Sequence, residues 1–195
     1  MNKIICLSIS ILLLLTGCRA DINKSADSSK YYVDSREGDD ADSGTSPETA
    51  WKSLQRLSQQ KLNPGNQIYL SGSSHFHGSL NLHNLEGTKE SPLLITSYGE
   101  GRAVIESVNS FAVLVQNCKY LKIKNIEASG SGRLNGNKTN GVELVNCKFC
   151  EIDSVKATGY LYSGIRVTGG NDIRNQSEYP VMGGEITIDL KISNT

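Results

Sequence analysis

Through most of this chain apolar and polar residues alternate over short stretches that are separated by Gly, Asn and Ser, the pattern of half-buried strands. The stretches repeat. Phe111 to Gly130 reads FAVLVQNCKYLKIKNIEASG, and Asn140 to Gly159 reads NGVELVNCKFCEIDSVKATG. Laying Val113 on Val142 superposes them without a gap as far as Gly130 on Gly159. Val115 then meets Leu144, Ile123 meets Ile152, Ile126 meets Val155 and Ala128 meets Ala157. The polar columns carry more information. Lys122 meets Glu151, Lys124 meets Asp153 and Glu127 meets Lys156, the opposite-sign pairing favoured by residues facing each other on neighbouring strands. Lys119 over Lys148 is the exception and belongs in a turn, where side chains splay apart.

A third copy begins at Gly164, with Ile165 on Val142, Arg166 on Glu143 and Val167 on Leu144. The step from Val142 to Ile165 is shorter than the step from Val113 to Val142, because the loop 131–139 is longer than the loop 160–163. Short strands repeating at this period predict an all-β fold: a right-handed parallel β-helix whose coils bury their apolar face only by stacking. Asn125 falls in a tight turn that wants a left-handed residue, and Asn117 over Asn146 predicts an amide ladder at another turn.

Before the repeats the pattern changes. Tyr31-Tyr32-Val33 reads as a short strand, followed by an acidic Gly-bounded loop. Ser46-Pro47-Glu48 reads as a helix start, and Ala50, Trp51, Leu54 and Leu57 recur at helical spacing. Asn63-Pro64-Gly65-Asn66 stops that N-terminal capping helix.

The stretch 1–17 is different again. Met1-Asn2-Lys3 supplies a positive start, Ile4 to Leu15 an apolar run too short to span a bilayer, and Leu15-Thr16-Gly17-Cys18 a small-residue cleavage motif. This resembles a bacterial lipoprotein signal, which implies lipidation at Cys18. The expected organisation is a signal peptide over 1–17, a polar tether over 18–30 and one β-helix domain over 31–195. The expected location is the cell envelope, lipid-anchored at the outer membrane, with no membrane contact besides the anchor.

Charge excludes one class of partner. Lys plus Arg and Asp plus Glu number 20 each, so no overall field favours nucleic acid. A hydrophobic content of 37% with 19 Gly suits a turn-rich β fold rather than a helical one. Past the signal and anchor, Cys118, Cys147 and Cys150 read as small buried residues, with room for one bridge among them, in preference to a metal site.

The run YYVDSREGDDADSGTSPETAWKSLQ, then GNQIYLSGSSHFHGSLNL and SPLLITSYGEGRAVIES, resembles the opening segment and first coils of bacterial β-helix proteins of the pectate-lyase-like superfamily. The resemblance covers Tyr31 to about Arg174. It implies a polysaccharide or oligosaccharide partner, a lyase or glycoside hydrolase as the parent activity, and Ca²⁺ as a cofactor that some members use. Members are similar in using a groove along one strand face, walled by a neighbouring loop. Such proteins usually run longer, and the repeat is interrupted after Arg174, where Tyr179-Pro180 and Gly183-Gly184 precede an alternating strand from Glu185. The chain is therefore expected to be the N-terminal part of a longer enzyme, inactive by itself. The alternative is a non-catalytic glycan-binding surface lipoprotein.

Candidate chemistry is sparse. A catalytic carboxylate pair on such a scaffold would occupy one column in consecutive coils, or positions i and i+2 of one strand. The outward columns instead read Leu114, Glu143, Arg166 and Gln116, Val145, Thr168, with a single carboxylate. Glu143 and Arg166 are candidates to line a glycan groove, with Arg133 and Lys138 on the loop beside them. The plain alternative for Glu143 and Arg166 is a surface ion pair worth under about 1 kcal/mol. Asp39, Asp40 and Asp42 form the one candidate Ca²⁺ loop, though without an EF-hand pattern. His75 and His77 flank Phe76 and point to one face; a transition metal would need a third ligand that the sequence does not place, so they read as surface polar residues.

Overall fold

The computed structural model describes residues 29–132 and 136–169 and the backbone of 187–191. Cys18, the tether up to residue 28, Arg133 and the interruption at 170–186 lie outside the described residues.

After β1 (Lys30–Val33) come a 3-10 turn (Pro47–Thr49) and a short helix α1 (Leu54–Ser58). The strands that follow are β2 (Gln67–Ser71), β3 (His75–His77), β4 (Leu80–His83), β5 (Leu93–Tyr98), β6 (Ala103–Ser107), β7 (Val113–Gln116) and β8 (Leu121–Lys124). They continue with β9 (Ile126–Gly130), β10 (Val142–Val145), β11 (Glu151–Thr158), β12 (Ile165–Thr168) and β13 (Thr187–Lys191). Each pass of the chain adds one strand to each of three rows. The first row runs β1-β2-β5-β8-β11, the second β3-β6-β9-β11 and the third β4-β7-β10-β12, and every pairing within them is parallel. The described residues are thus mostly β, built on parallel sheets, with almost no helix.

Side chains of consecutive passes stack in columns because the register is maintained from pass to pass. Ile68, Ile95, Ile123 and Ile152 form a continuous buried isoleucine column. Phe76, Ile105, Ala128 and Ala157 form another, and Leu82, Val115, Leu144 and Val167 a third. Burying each of these large aliphatic side chains contributes about 1.5–3 kcal/mol. The pairings read from the repeat are those observed: Val113 on Val142, Val142 on Ile165, Ile123 on Ile152 and Ala128 on Ala157. Cys150 occupies the column of Leu121; Cys118, Cys147 and Cys150 are all buried and unbridged.

The turns follow the same ladder. Asn84, Asn117 and Asn146 share left-handed backbone, at φ 55°, 55° and 53°. The Asn117 amide donates to Asn84 Oδ1 at 3.3 Å. Asn125 (φ 50°) bends the chain between β8 and β9, and Ser154 (φ 56°) does the same within β11 one pass later. Tyr120 and Phe149, also left-handed, stack with ring centroids 4.7 Å apart.

One expectation is corrected here. The helix predicted from Ser46 is broken in two, because residues 50–52 run extended beside β1: Trp51 N donates to Tyr32 O, and Asp34 N donates to Trp51 O. The helix restarts at Ser53, whose hydroxyl accepts from Arg56 N at 3.0 Å. Trp51 is buried, stacked on Tyr31, covered by Arg56, and backed by Gly44, where a Cβ would fall 2.3 Å from the indole. The far edge of β11 is paired by β13, which runs antiparallel to it.

Candidate functional site

The third row, β4-β7-β10-β12, presents two outward columns: Asn81, Leu114, Glu143, Arg166 and His83, Gln116, Val145, Thr168. Glu143 is the one carboxylate among them, and it is only 9% exposed. The loop just before β10 covers it.

That loop is fastened from below. Asn137, wholly buried, donates through Nδ2 to Ser110 O at 2.8 Å, Ser107 O at 3.1 Å and Ser107 Oγ at 3.2 Å. Its Oδ1 accepts from the Thr139 hydroxyl. Tyr160 inserts alongside, its hydroxyl 3.0 Å from Ser107 Oγ, and burial pushes that phenol up to about 12. The next loop leans on the first, as Leu161 N donates to Asn137 O at 2.9 Å. Leu161 and Tyr162 are left facing solvent at this rim.

With the loop fixed, Asn140 meets Glu143: Nδ2 donates to Oε2 at 3.0 Å. Asn140 is itself buried, and among the described residues its Oδ1 has no hydrogen-bond partner. A buried acceptor without a donor costs about 1–3 kcal/mol, so such an atom calls for a donor. Flipping the amide would not remove the defect, since it would turn the oxygen toward the carboxylate and strand the NH₂ instead.

Arg166 lies opposite Glu143 in register, yet no ion pair joins them among the described residues. The surface ion pair expected from the sequence is not formed, because Asn140 satisfies and shields the carboxylate. Lys138 is exposed on the same loop, while Arg133 lies outside the described residues.

The candidate Ca²⁺ loop does not fit the ion. Asp40 Oδ1 accepts from Lys52 N at 2.9 Å and Ser53 N at 2.8 Å, and Oδ2 from the Ser53 hydroxyl at 2.6 Å. Burial raises this carboxyl, but those bonds, led by the Ser53 hydroxyl and aided by the charge of Arg56, hold it below the usual range. Asp39 Oδ1 is turned to Ala41 N at 2.9 Å. These acids fix a helix start and a turn. Among the described residues no group of three or more His, Cys, Asp or Glu side chains could hold a metal ion.

The sequence did not single out Asn137 or Asn140, and it offered Tyr160 only as a residue to stack on sugar rings. Asn137 and Tyr160 take their roles from bonds to the 107–110 turn of the preceding pass, and Asn140 from its bond to Glu143, which no local motif announces.

No protein-family model matches the chain. Over 83 residues it is 39% identical to the lacto-N-biosidase of Bifidobacterium longum subsp. longum, a match covering 40% of this chain and 5% of that protein. The fold is similar to the crystal structure of a GH136 lacto-N-biosidase from Eubacterium ramulus, native protein, with a TM-score of 0.55 and 28% identity. That match covers 71% of this chain and 30% of the other. The selenomethionine derivative of that enzyme gives a TM-score of 0.57 at 24% identity, covering 78% of this chain and 32% of the other. The chain therefore spans less than a third of the length of each of these relatives.

Proposed function

We propose that the stacked passes form a right-handed parallel β-helix closed at its N-terminal end by α1 and the Trp51 segment. In this reading the chain is the N-terminal part of a glycan-degrading protein and serves carbohydrate recognition rather than complete catalysis. The observation that carries it is the Glu143–Asn140 pair, a nearly buried carboxylate beside an orphaned amide oxygen. Both present acceptors, so the group they await is a donor: a sugar hydroxyl or an acetamido N–H. A uronate carboxylate would instead meet Glu143 as a like charge. Leu161 and Tyr162 at the rim offer apolar surface to the C–H face of a sugar ring. The similarity to lacto-N-biosidases supports an oligosaccharide ligand.

One glycosidase requirement is a second carboxylate about 5–10 Å from the first. The outward columns of the third row supply Glu143 alone, so we expect no turnover from this chain. The chain is proposed to act at the cell envelope, exported by residues 1–17 and lipidated at Cys18. Replacement by Cys18→Ser should then move it from the membrane fraction to the soluble fraction.

The test is calorimetric titration of the full chain with neutral N-acetylhexosamine-containing oligosaccharides, and with alginate and pectin fragments. We expect binding to the neutral set, weakened at least about tenfold by Glu143→Gln and by Asn140→Ala. Absence of binding across the panel would sink the recognition reading. Release of reducing or unsaturated sugar would show that the chain carries a working active site.

A further inference from the structure

Cys118, Cys147 and Cys150 gather at one buried corner, where the third row turns into the first. The sequence left room for one bridge among them without choosing the pair. The stacking of the passes argues against one choice. Cys118 and Cys147 hold equivalent positions in consecutive passes, and their thiols point the same way. Cys118 Sγ lies 3.7 Å from Leu82 O and 3.3 Å from Gln116 O, and Cys147 Sγ lies 3.5 Å from Val115 O and 3.4 Å from Val145 O. Leu82 is the register partner of Val115, and Gln116 of Val145. The two sulfurs are therefore held one inter-strand step apart, about 4.8 Å. A disulfide needs sulfurs about 2.05 Å apart on Cβ atoms about 3.8 Å apart, which in-register stacking denies.

Cys147 and Cys150 are related differently. They belong to one pass, three residues apart, and the Cys150 thiol hydrogen-bonds to the Cys147 sulfur. Phe149 between them has left-handed backbone (φ 54°) and is 37% exposed, while both cysteines are 2% exposed. The chain thus arches outward at Phe149 and turns both sulfurs into the same part of the core. We propose that Cys147 and Cys150 are an oxidisable pair, joined as an intrachain disulfide, with Cys118 left as a free thiol. The structure holds all three as thiols. Passing from hydrogen-bond contact to a bond calls for side-chain rotation within the arch and leaves the stacking of the passes as it is. One pass earlier the column of Cys150 is filled by Leu121, so the staple belongs to this pass and not to that one.

The co-reactant is a second disulfide. Cys147, as the thiolate, attacks one sulfur of it, forming a mixed disulfide and expelling one thiolate. Cys150 then gives up its proton and attacks the Cys147 sulfur, closing the Cys147–Cys150 bond and expelling the second thiolate. The two cysteine protons end on the two released thiols; the cysteines lose two electrons and the oxidant gains them. Packing seals both sulfurs from reagents, so exchange precedes the closing of this pass and the bond is buried afterwards. The export proposed above would supply an oxidising compartment. The proposal rests on that reading for its place in the cell, and not for its chemistry.

Refolding the reduced full chain in a mixture of oxidised and reduced glutathione tests this, followed by alkylation and tryptic mass mapping. Trypsin cuts after Lys148, between the two cysteines, so the bond joins peptides 139–148 and 149–156. We expect that linked pair, with Cys118 alkylated. Reduction should then lower the melting temperature by about 3–8 °C in the parent and in Cys118→Ala, and leave Cys147→Ala and Cys150→Ala unmoved. A link through Cys118 in place of this one, glutathione adducts or alkylated thiols at Cys147 and Cys150, or a parent whose melting temperature ignores reduction would each overturn the proposal. Mapping of the parent requires no variant to fold. Export is read separately, from the fractionation of Cys18→Ser, and decides none of these outcomes.

Discussion

The Lys124 ammonium lies 2.8 Å from Glu151, its diagonal neighbour one pass later, closer than Lys122, which is the register partner of Glu151, at 3.2 Å. Lys124 also reaches Asp153 at 3.0 Å, so two lysines and two acids form one network across β8 and β11. Networks of this kind do more than isolated surface pairs because Glu151 and Lys124 are each held by two partners.

The network makes stability depend on pH. The hydrogen bond from Lys124 holds the Glu151 carboxyl below its ordinary value of 4.5 against the opposing effect of burial, and Lys122 adds to it. The folded chain therefore keeps this group ionised to lower pH than the unfolded chain does. Its stabilising contribution is complete above about pH 4.5 and disappears as pH falls through the lowered folded value. In Glu151→Gln, we expect a melting temperature about 2–5 °C below the parent at pH 6–7 and a gap that narrows toward pH 3. Thermal unfolding followed by circular dichroism across that range checks it; a constant gap would show that Glu151 acts through packing alone.

Asn125 turns the chain at φ 50°, where a Cβ-branched or bulky residue is strained. Asn125→Val should cost about 1–2 kcal/mol, whereas Asn125→Gly should stay within about 0.5 kcal/mol of the parent. Urea unfolding of the pair separates backbone strain from side-chain loss: equal effects would remove strain as the cause.

Ile123 stands between Ile95 and Ile152 in the isoleucine column and is 1% exposed. Ile123→Ala should destabilise by about 2–5 kcal/mol, and Ile123→Val by about 0.5–1.5 kcal/mol. The same unfolding experiment measures both, and a loss below about 1 kcal/mol for the alanine variant would mean that the column relaxes to fill the space.

The three buried thiols should be inert while the protein is folded. Burial pushes Cys118 up to about 11; the hydrogen bond from Cys150 instead brings Cys147 down to about 7, so the protection of Cys147 rests on its burial. Both thiols hydrogen-bond to backbone carbonyls of the preceding pass. A disulfide reagent at pH 8 should label them at least about a hundredfold faster in denaturant than in native buffer. Fast labelling of the native chain would show that the passes open readily.

The repeat made much of this architecture legible. Val113, Val142 and Ile165 fall into one column because a strand has a period of two and stacking in register keeps like faces together, so a fixed shift in sequence becomes a fixed position in space. The opposite charges of Lys122 and Glu151, Lys124 and Asp153, and Glu127 and Lys156 tied that register down, and each pair closes in the structure. Asn125 at its turn was equally readable, since the need for a left-handed residue is local.

Contacts made by the loops were not readable in this way. Trp51 has helical spacing from Leu54, yet it joins β1 because its backbone satisfies Tyr32 and Asp34 there. Asp40 was as good a Ca²⁺ ligand as any acid until the fold brought Ser53 to it. Asn140 meeting Glu143, Asn137 reaching Ser107, and Glu106 lying between His75 and His77 all depend on how one pass settles on another. The alternation and the repeat, read from sequence, determined which faces stack. Only the tertiary structure decided which polar groups converge, because side-chain hydrogen bonds across passes are chosen by distances that no local pattern encodes.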